Sequence, residues 1–111
     1  MEKRVDEHQV RIASDDVTLT ATLTMPTGPV RGGLVPLHPA SEPSRDQFLF
    51  RHLAEILPPR GVAVLRFDRR AYRGDSDVPL ALQARESLAM LHELRQVPGV
   101  SNAPLGLWGF S

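Results

Sequence analysis

The sequence contains no cysteine, which excludes a disulfide framework and any thiolate metal site. It also has no excess of charge, since 13 acidic residues balance 13 basic ones, and therefore lacks the basic surface that nucleic acids attract. No apolar stretch approaches the ~18 residues that a membrane span requires, and Met1 is followed by polar residues rather than an apolar leader. These absences predict a cytoplasmic protein that binds neither nucleic acid nor membrane.

The 111 residues correspond to one domain, residues 1–111. A chain of this length can bury roughly 65% of its unfolded surface, which is enough for a modest core. Its 10 prolines and 8 glycines are spread along the chain, as in a loop-rich α/β protein.

Residues 7–25 show a strict alternation of apolar and polar side chains, in which Val17 to Met25 alternates with threonine. This period of two predicts a β-hairpin with one apolar and one polar face. The turn is expected at Ser14-Asp15-Asp16, where aspartates suit a solvated turn through local hydrogen bonds. A metal site at the two aspartates is the alternative.

Three apolar runs, at 33–38, 62–67 and 104–108, predict buried strands, and helical periodicity predicts helices at 45–57 and 79–96. Strands that alternate with helices form a parallel sheet through right-handed crossovers, here with the hairpin on one side. Pro36 is unusual inside such a strand because it has no N–H. Either the strand has a local fault there, or Pro36 faces a gap in the pairing.

Two details of the helices can be predicted. Ser44 with Gln47 three residues later is typical of a capping box, which would start the first helix. In the second helix, helical spacing predicts an apolar buried face made of Ala81, Ala84, Leu88, Leu91 and Leu94.

The reactive residues of parallel α/β sheets lie at the carboxyl ends of the strands, where this sequence places His38, Asp68 and Ser111. Gly109-Phe110-Ser111 follows the last strand and matches the first half of a G-x-S-x-G nucleophile elbow. Gly109 is expected to keep that tight turn free of a Cβ clash.

These features together resemble the amino-terminal half of an α/β-hydrolase, nearest to dienelactone hydrolases and to acyl-CoA thioesterase-like and acyltransferase-like hydrolases. The resemblance implies that Ser111 is the nucleophile and that the loop after His38 forms the oxyanion hole. That loop normally begins His-Gly, but Pro39 stands here and has no N–H, so the donor would be Ala40 or Ser41. Asp68-Arg69-Arg70 resembles a structural turn of the family, with Ala71 in place of its glycine.

In this family the catalytic acid and histidine follow the serine in the chain, and so does the second oxyanion donor. The polypeptide ending at Ser111 is therefore expected to be inactive alone. The resemblance implies a small-molecule acyl substrate, an ester or thioester, with no metal and no organic cofactor. His38 is expected to shape the oxyanion loop rather than act as the base.

Other interpretations are open. The chain could be a non-catalytic fragment or interaction module, which self-associates through an exposed sheet edge. It could also use Ser76, in Gly74-Asp75-Ser76, with an upstream histidine. The remaining histidines, His8, His52 and His92, are expected at the surface. Four arginines in and after the predicted strand 62–67 could hold a phosphate or CoA group, although a solvated loop is favoured: Arg66, Arg69, Arg70 and Arg73.

Overall fold

The computed structural model describes residues 6–14, 16–38, 44–69 and 80–109. The strands are β1 (Asp6–Ser14), β2 (Val17–Met25), β3 (Gly32–Pro36), β4 (Val62–Phe67) and β5 (Leu105–Trp108). The helices are α1 (Phe48–Ile56) and α2 (Leu80–Arg95), with a short 3-10 turn at Pro58–Arg60. The predicted order of hairpin, β, α, β, α, β is therefore confirmed. None of the helices in the described ranges is long and apolar enough to cross a membrane.

The five strands form one mixed sheet in the order β1-β2-β4-β3-β5. β1 and β2 are antiparallel, and β2 joins the rest of the sheet by pairing antiparallel to β4. β3 runs parallel to both of its neighbours, β4 and β5. The hairpin therefore lies on one side of a parallel core, as the sequence predicts.

The main core lies between the sheet and α2, which contacts β1, β3 and β4. Apolar side chains of the strands meet apolar side chains of the helix there, and they include Ile12, Leu19, Ala21, Leu23, Val35, Ala63, Leu65, Met90 and Leu94. Transfer of such side chains from water contributes about 1.5–3 kcal/mol for each large one.

The threonine face of β2, which lies opposite the main core because successive strand residues point to opposite faces, is buried at Thr22 and Thr24 but exposed at Thr18. Thr22 and Thr24 are each only 2% exposed. The predicted alternation is thus present, yet at Thr22 and Thr24 the polar face meets protein rather than water.

The buried face of α2 differs from the predicted one. Glu86, Met90 and Leu94 are buried, whereas Leu88 is 62% exposed and Ala84 also faces solvent. The buried residues are four apart, as one helix face requires. The prediction was right for Leu94 and for Leu91, which packs against the core. It was wrong for Ala81, Ala84 and Leu88, because the buried face is centred on Glu86 and Met90 instead.

The start of α1 also differs, since the helix begins at Phe48 and the capping box is wrong. Gln47 is the N-cap, and its Oε1 accepts hydrogen bonds from the backbone N–H groups of Leu49 (2.8 Å) and Phe50 (3.2 Å). The Ser44 hydroxyl instead accepts from the N–H of Asp46 at 2.9 Å. One side chain therefore satisfies two of the donors that a helix start leaves open.

The turn between β1 and β2 lies where it is predicted, between Ser14 and Val17. Asp16 is exposed there, and Asp15 lies outside the described residues. Within the described ranges, no group of three or more histidines or carboxylates is arranged to hold a metal ion.

Candidate active site

The carboxyl ends of β4, β3 and β5 lie side by side, because β3 pairs with both of the other strands. His38 follows β3 and Asp68 follows β4 at this edge of the sheet, and Gly109 follows β5. The structure thus brings together His38, Asp68 and the strand that leads toward Ser111. Ser111, Ala40 and Ser41 lie outside the described residues, and their roles stay predictions.

Pro36 faces a gap between β3 and β4. The register of β3 with β4 ends at Leu34–Val64, whereas its register with β5 continues to Pro36–Trp108. The N–H groups of Gly33 and Leu37 point to β5. Because N–H groups alternate between the two sides of a strand, those of the even-numbered residues between them point to β4. Pro36 has no N–H to direct at β4, but the two strands are no longer paired there. No hydrogen bond between β3 and β4 is therefore lost.

The side chain of His38 lies in that gap. Its Nε2 donates a hydrogen bond to the carbonyl oxygen of Phe67 at 2.5 Å. The ring centroid lies 4.9 Å from that of Phe50 and 4.7 Å from that of Phe67, both in edge-to-face geometry. Because a carbonyl can only accept, the proton of the neutral ring is on Nε2.

His38 is neutral near pH 7. Burial lowers the pKa of His38 to about 4, and the positive charge of Arg69 lowers it as well. The hydrogen bond to Phe67 and the negative charge of Asp68 act in the opposite direction but do not compensate. A buried ring whose Nε2 hydrogen is donated to the backbone suits a positioning role better than that of a general base, and the role of His38 in the loop stays a prediction.

Arg45 is the residue at this edge that the sequence analysis missed. Its backbone N–H and its Nη1 donate to the two carboxylate oxygens of Asp68, at 2.6 and 2.5 Å. Its Nε donates to Thr22 Oγ1 at 3.0 Å. These bonds tie the segment that precedes α1 to the end of β4. The signal in the sequence was the opposite charge of Arg45 and Asp68, which follow two adjacent strands.

The expected solvated arginine loop is wrong for its two described members, since Arg66 and Arg69 are both buried. Arg66 Nη1 donates to the carbonyl oxygen of Arg45 and to Asp46, each at 3.0 Å, and Nη2 donates to Glu7 at 3.2 Å. Its charge is thus already compensated by the protein, which disfavours a phosphate or CoA site here. Arg70 and Arg73 lie outside the described residues.

Among the described residues, no contact requires a glycine at position 109. A Cβ at this position would lie 3.6 Å from the Cβ of Leu37, an ordinary van der Waals distance. The prediction that Gly109 avoids a clash therefore finds no support among these contacts.

The other three histidines are at the surface, as predicted. His8 is half exposed and lies 2.8 Å from a carboxylate oxygen of Asp6, while His52 and His92 are exposed on the two helices. Ser76, the alternative nucleophile, lies outside the described residues.

The architecture is that of the α/β-hydrolase fold. The chain superposes on dienelactone hydrolase from Anabaena variabilis with a TM-score of 0.74 and 23% identity, over 98% of this chain and 53% of that one. It superposes on an esterase of Pyrococcus furiosus with a TM-score of 0.76 and 24% identity, over 96% and 40%. It superposes on a lidless α/β serine hydrolase from Xanthomonas campestris with a TM-score of 0.76 and 18% identity, over 96% of this chain and 51% of that one.

These similarities concern the fold, and the chain spans about half the length of the solved structures it resembles. No family model and no curated protein matches the sequence. The five-stranded mixed sheet with flanking helices corresponds to the amino-terminal half of the fold, as the sequence predicts.

Proposed function

We propose that the protein is a serine hydrolase that cleaves carboxylic ester or thioester bonds with Ser111 as nucleophile. The observation that supports this is the pairing of β5 with β3 up to their carboxyl ends. The strand that leads into Gly109-Phe110-Ser111 is thereby adjacent to the strand that leads into residues 39–41. A nucleophile and an oxyanion loop need that proximity, because both contact one carbonyl group.

In the proposed reaction, the Ser111 hydroxyl oxygen attacks the acyl carbonyl carbon while a histidine accepts the hydroxyl proton. Backbone N–H groups of Ala40 or Ser41 and of the residue after Ser111 would stabilise the oxyanion. His38 is not the base, since its Nε2 hydrogen is donated to Phe67. The base and its acid would come from residues that follow Ser111 in the chain.

The reaction needs no metal and no organic cofactor, and the substrate class is a small acyl compound. His38 would act through the loop by holding its first residues against β4. If the loop is only structural, loss of the hydrogen bond between His38 and Phe67 should leave kcat unchanged. If the loop forms the oxyanion hole, the loss should lower kcat more than it raises KM.

The test is hydrolysis of p-nitrophenyl acetate by the protein at its full natural length. We expect Ser111→Ala to lower kcat/KM by on the order of 10⁴-fold or more, because loss of a nucleophile removes the whole covalent pathway. Ser101→Ala is the matched control, since Ser101 is exposed in the turn before β5. A fluorophosphonate label should attach to the parent and not to Ser111→Ala. Equal turnover by Ser111→Ala and the parent would refute the proposal.

A second candidate function applies to a polypeptide that ends at Ser111, which we propose is a non-catalytic fragment that self-associates. The supporting observation is an apolar surface beside β5, where Leu107 is 49% exposed and Leu88 of α2 is exposed as well. Such a polypeptide should show no Ser111-dependent turnover, because it carries no acid and histidine after the serine. Clear turnover abolished by Ser111→Ala would contradict this.

A further inference from the structure

The chain is anchored on both sides of residues 39–43, the segment that contains the expected oxyanion donors. His38 lies directly before this segment, and its Nε2 donates to the carbonyl oxygen of Phe67 at 2.5 Å. Arg45 lies two positions after the segment, and its backbone N–H donates to a carboxylate oxygen of Asp68 at 2.6 Å. Phe67 and Asp68 are consecutive residues at the end of β4. The chain is therefore held at one point of the sheet both before and after residues 39–43.

The backbone of Arg45 is bonded through both of its polar groups. Its N–H donates to Asp68, and its carbonyl oxygen accepts from Nη1 of Arg66 at 3.0 Å. Asp68 is itself fixed to the sheet, because its N–H donates to the carbonyl oxygen of Thr20 in β2 at 2.9 Å. Arg66 is a buried residue of β4. The position of the backbone at Arg45 is therefore set by β4 and its end.

The side chain of Arg45 extends this attachment to the hairpin. Its Nη1 donates to the second carboxylate oxygen of Asp68 at 2.5 Å, and its Nε donates to Thr22 Oγ1 at 3.0 Å. Its Nη2 donates to Gln9 Oε1 at 3.3 Å. Each of the three guanidinium nitrogens is thus bonded to protein, and the side chain is only 20% exposed. Such a group is suited to holding the chain in place rather than to binding a substrate.

We propose that Arg45 is a positioning residue of the oxyanion hole, which fixes where the backbone N–H of Ala40 or Ser41 lies relative to Ser111. The inference rests on the proposed function. An oxyanion donor has to lie about 3 Å from the developing charge, and a displacement of roughly 1 Å can lower the rate about 100-fold. The guanidinium group also orients the carboxylate of Asp68 toward the N–H of Arg45. Its loss should therefore loosen the end of the segment that His38 does not hold.

The test compares Arg45→Met with the parent in hydrolysis of p-nitrophenyl acetate by the protein at its full natural length. Active sites are counted by complete labelling with a fluorophosphonate, so that a loss of folded protein does not enter kcat. We expect kcat to fall about 10–100-fold while KM changes less than about threefold, because the donor acts on the oxyanion more than on the bound ester. A trifluoromethyl ketone, which forms an oxyanion adduct with a nucleophilic serine, should bind more weakly in proportion to kcat/KM.

Arg45→Lys provides a second variant, which also decides the question if Arg45→Met does not fold. It keeps the charge but offers one nitrogen in place of three, so it should restore part of the loss, with kcat about 3–10-fold below the parent. Arg51→Met is the matched control, since Arg51 is exposed on α1, and its kcat should equal that of the parent.

Leu94→Ala separates positioning from stability. Leu94 is fully buried beside Gly33 at the amino end of β3, so the variant should unfold at a lower temperature yet keep the parent's kcat per labelled site. The inference is overturned if kcat per labelled site in Arg45→Met equals that of the parent, if it falls equally in Leu94→Ala, or if the affinity for the ketone is unchanged. In those cases Ser111→Ala still abolishes turnover and the proposed function stands. Turnover that Ser111→Ala does not reduce would refute the proposed function and this inference together.

Discussion

The imidazole of His38 donates its Nε2 hydrogen to the carbonyl oxygen of Phe67, across the gap where β3 and β4 have ceased to pair. A side chain thus satisfies a backbone acceptor beyond the last registered pair of the ladder. The same ring is packed between Phe50 and Phe67. A charged imidazole could donate the same hydrogen bond, but burial of the ring disfavours the charge, so protonation of His38 should oppose folding.

Stability should therefore fall at acid pH. The pKa of His38 is about 4 in the folded protein against 6.5 for an unperturbed histidine, so the unfolded state binds more protons between these values. The contribution of His38 is complete above pH 6.5 and is lost as the pH falls to 4. It amounts to about 3 kcal/mol. Urea unfolding at pH 7.5 and pH 4.5 measures it.

The pH dependence has a direct control. His38→Gln can still donate to Phe67 but does not titrate, so it should show a smaller loss of unfolding free energy between the two pH values. His52→Gln removes an exposed histidine and should retain the full loss. An equal loss in His38→Gln and the parent would show that other groups cause it.

The pairing of Asp68 with Arg45 should contribute measurably to stability. Asp68→Ala removes two charge-assisted hydrogen bonds, although the Asp68 side chain is 40% exposed and solvent weakens the ion pair. We expect a loss of about 1–2 kcal/mol in unfolding free energy. Asp68→Asn, which retains an acceptor for the Arg45 N–H, should lose less.

Glu55→Ala serves as the control for Asp68, since Glu55 is exposed on α1. It should change the unfolding free energy by less than about 0.5 kcal/mol. If the two alanine variants lost the same amount, the link between residue 45 and the end of β4 would not be a stabilising contact.

Close packing rather than backbone conformation favours glycine at position 33, because two leucine side chains would have to move to admit a Cβ. A Cβ there would lie 2.7 Å from Leu105 Cδ2 and 2.9 Å from Leu94 Cδ2, well inside contact distance. Gly33→Ala should therefore destabilise the protein by about 1–3 kcal/mol through overpacking. Gly28→Ala is the control, because a Cβ at Gly28 meets nothing within 4 Å. Thermal unfolding of both variants tests the difference.

The edge of β5 should mediate self-association of the polypeptide that ends at Ser111. Among the described strands, β5 pairs with β3 only, and an exposed apolar edge favours pairing between chains. Leu107→Lys should reduce the concentration-dependent rise in sedimentation coefficient. Phe48→Lys, which changes an exposed apolar residue on α1, should leave it unchanged. A parent that stays monomeric at all concentrations would contradict the prediction.

The strands and their order follow from local pattern. Val62–Phe67 begins and ends where its apolar run does, and the alternation from Val17 to Met25 defines β2. The first helix starts three residues later than expected, because Arg45 is bonded to Asp68 and to Thr22. Those partners are distant in sequence, so no local pattern contains the information.

The site is only partly readable from sequence. The positions of His38 and Asp68 at adjacent strand ends follow from the parallel arrangement. The roles of Arg45 and Arg66 do not, because a charged side chain is usually solvated, and the partners that enclose these two are distant in sequence. Glu86 illustrates the same limit, since a buried carboxylate leaves no mark in an apolar pattern.

The double burial of β2 has a consequence for how its pairing is specified. A shift by one residue would exchange the two faces of the strand, and alternation of apolar with polar side chains normally penalises this. Threonine is close to valine in shape, and part of the second face is itself buried. The free-energy penalty for a register shift is therefore smaller. Thr22 accepts from Arg45 and Gln9 and cannot be replaced there by Ala21 or Leu23. The hydrogen bonds to the Thr22 hydroxyl group therefore favour the observed register of β2 over the shifted one.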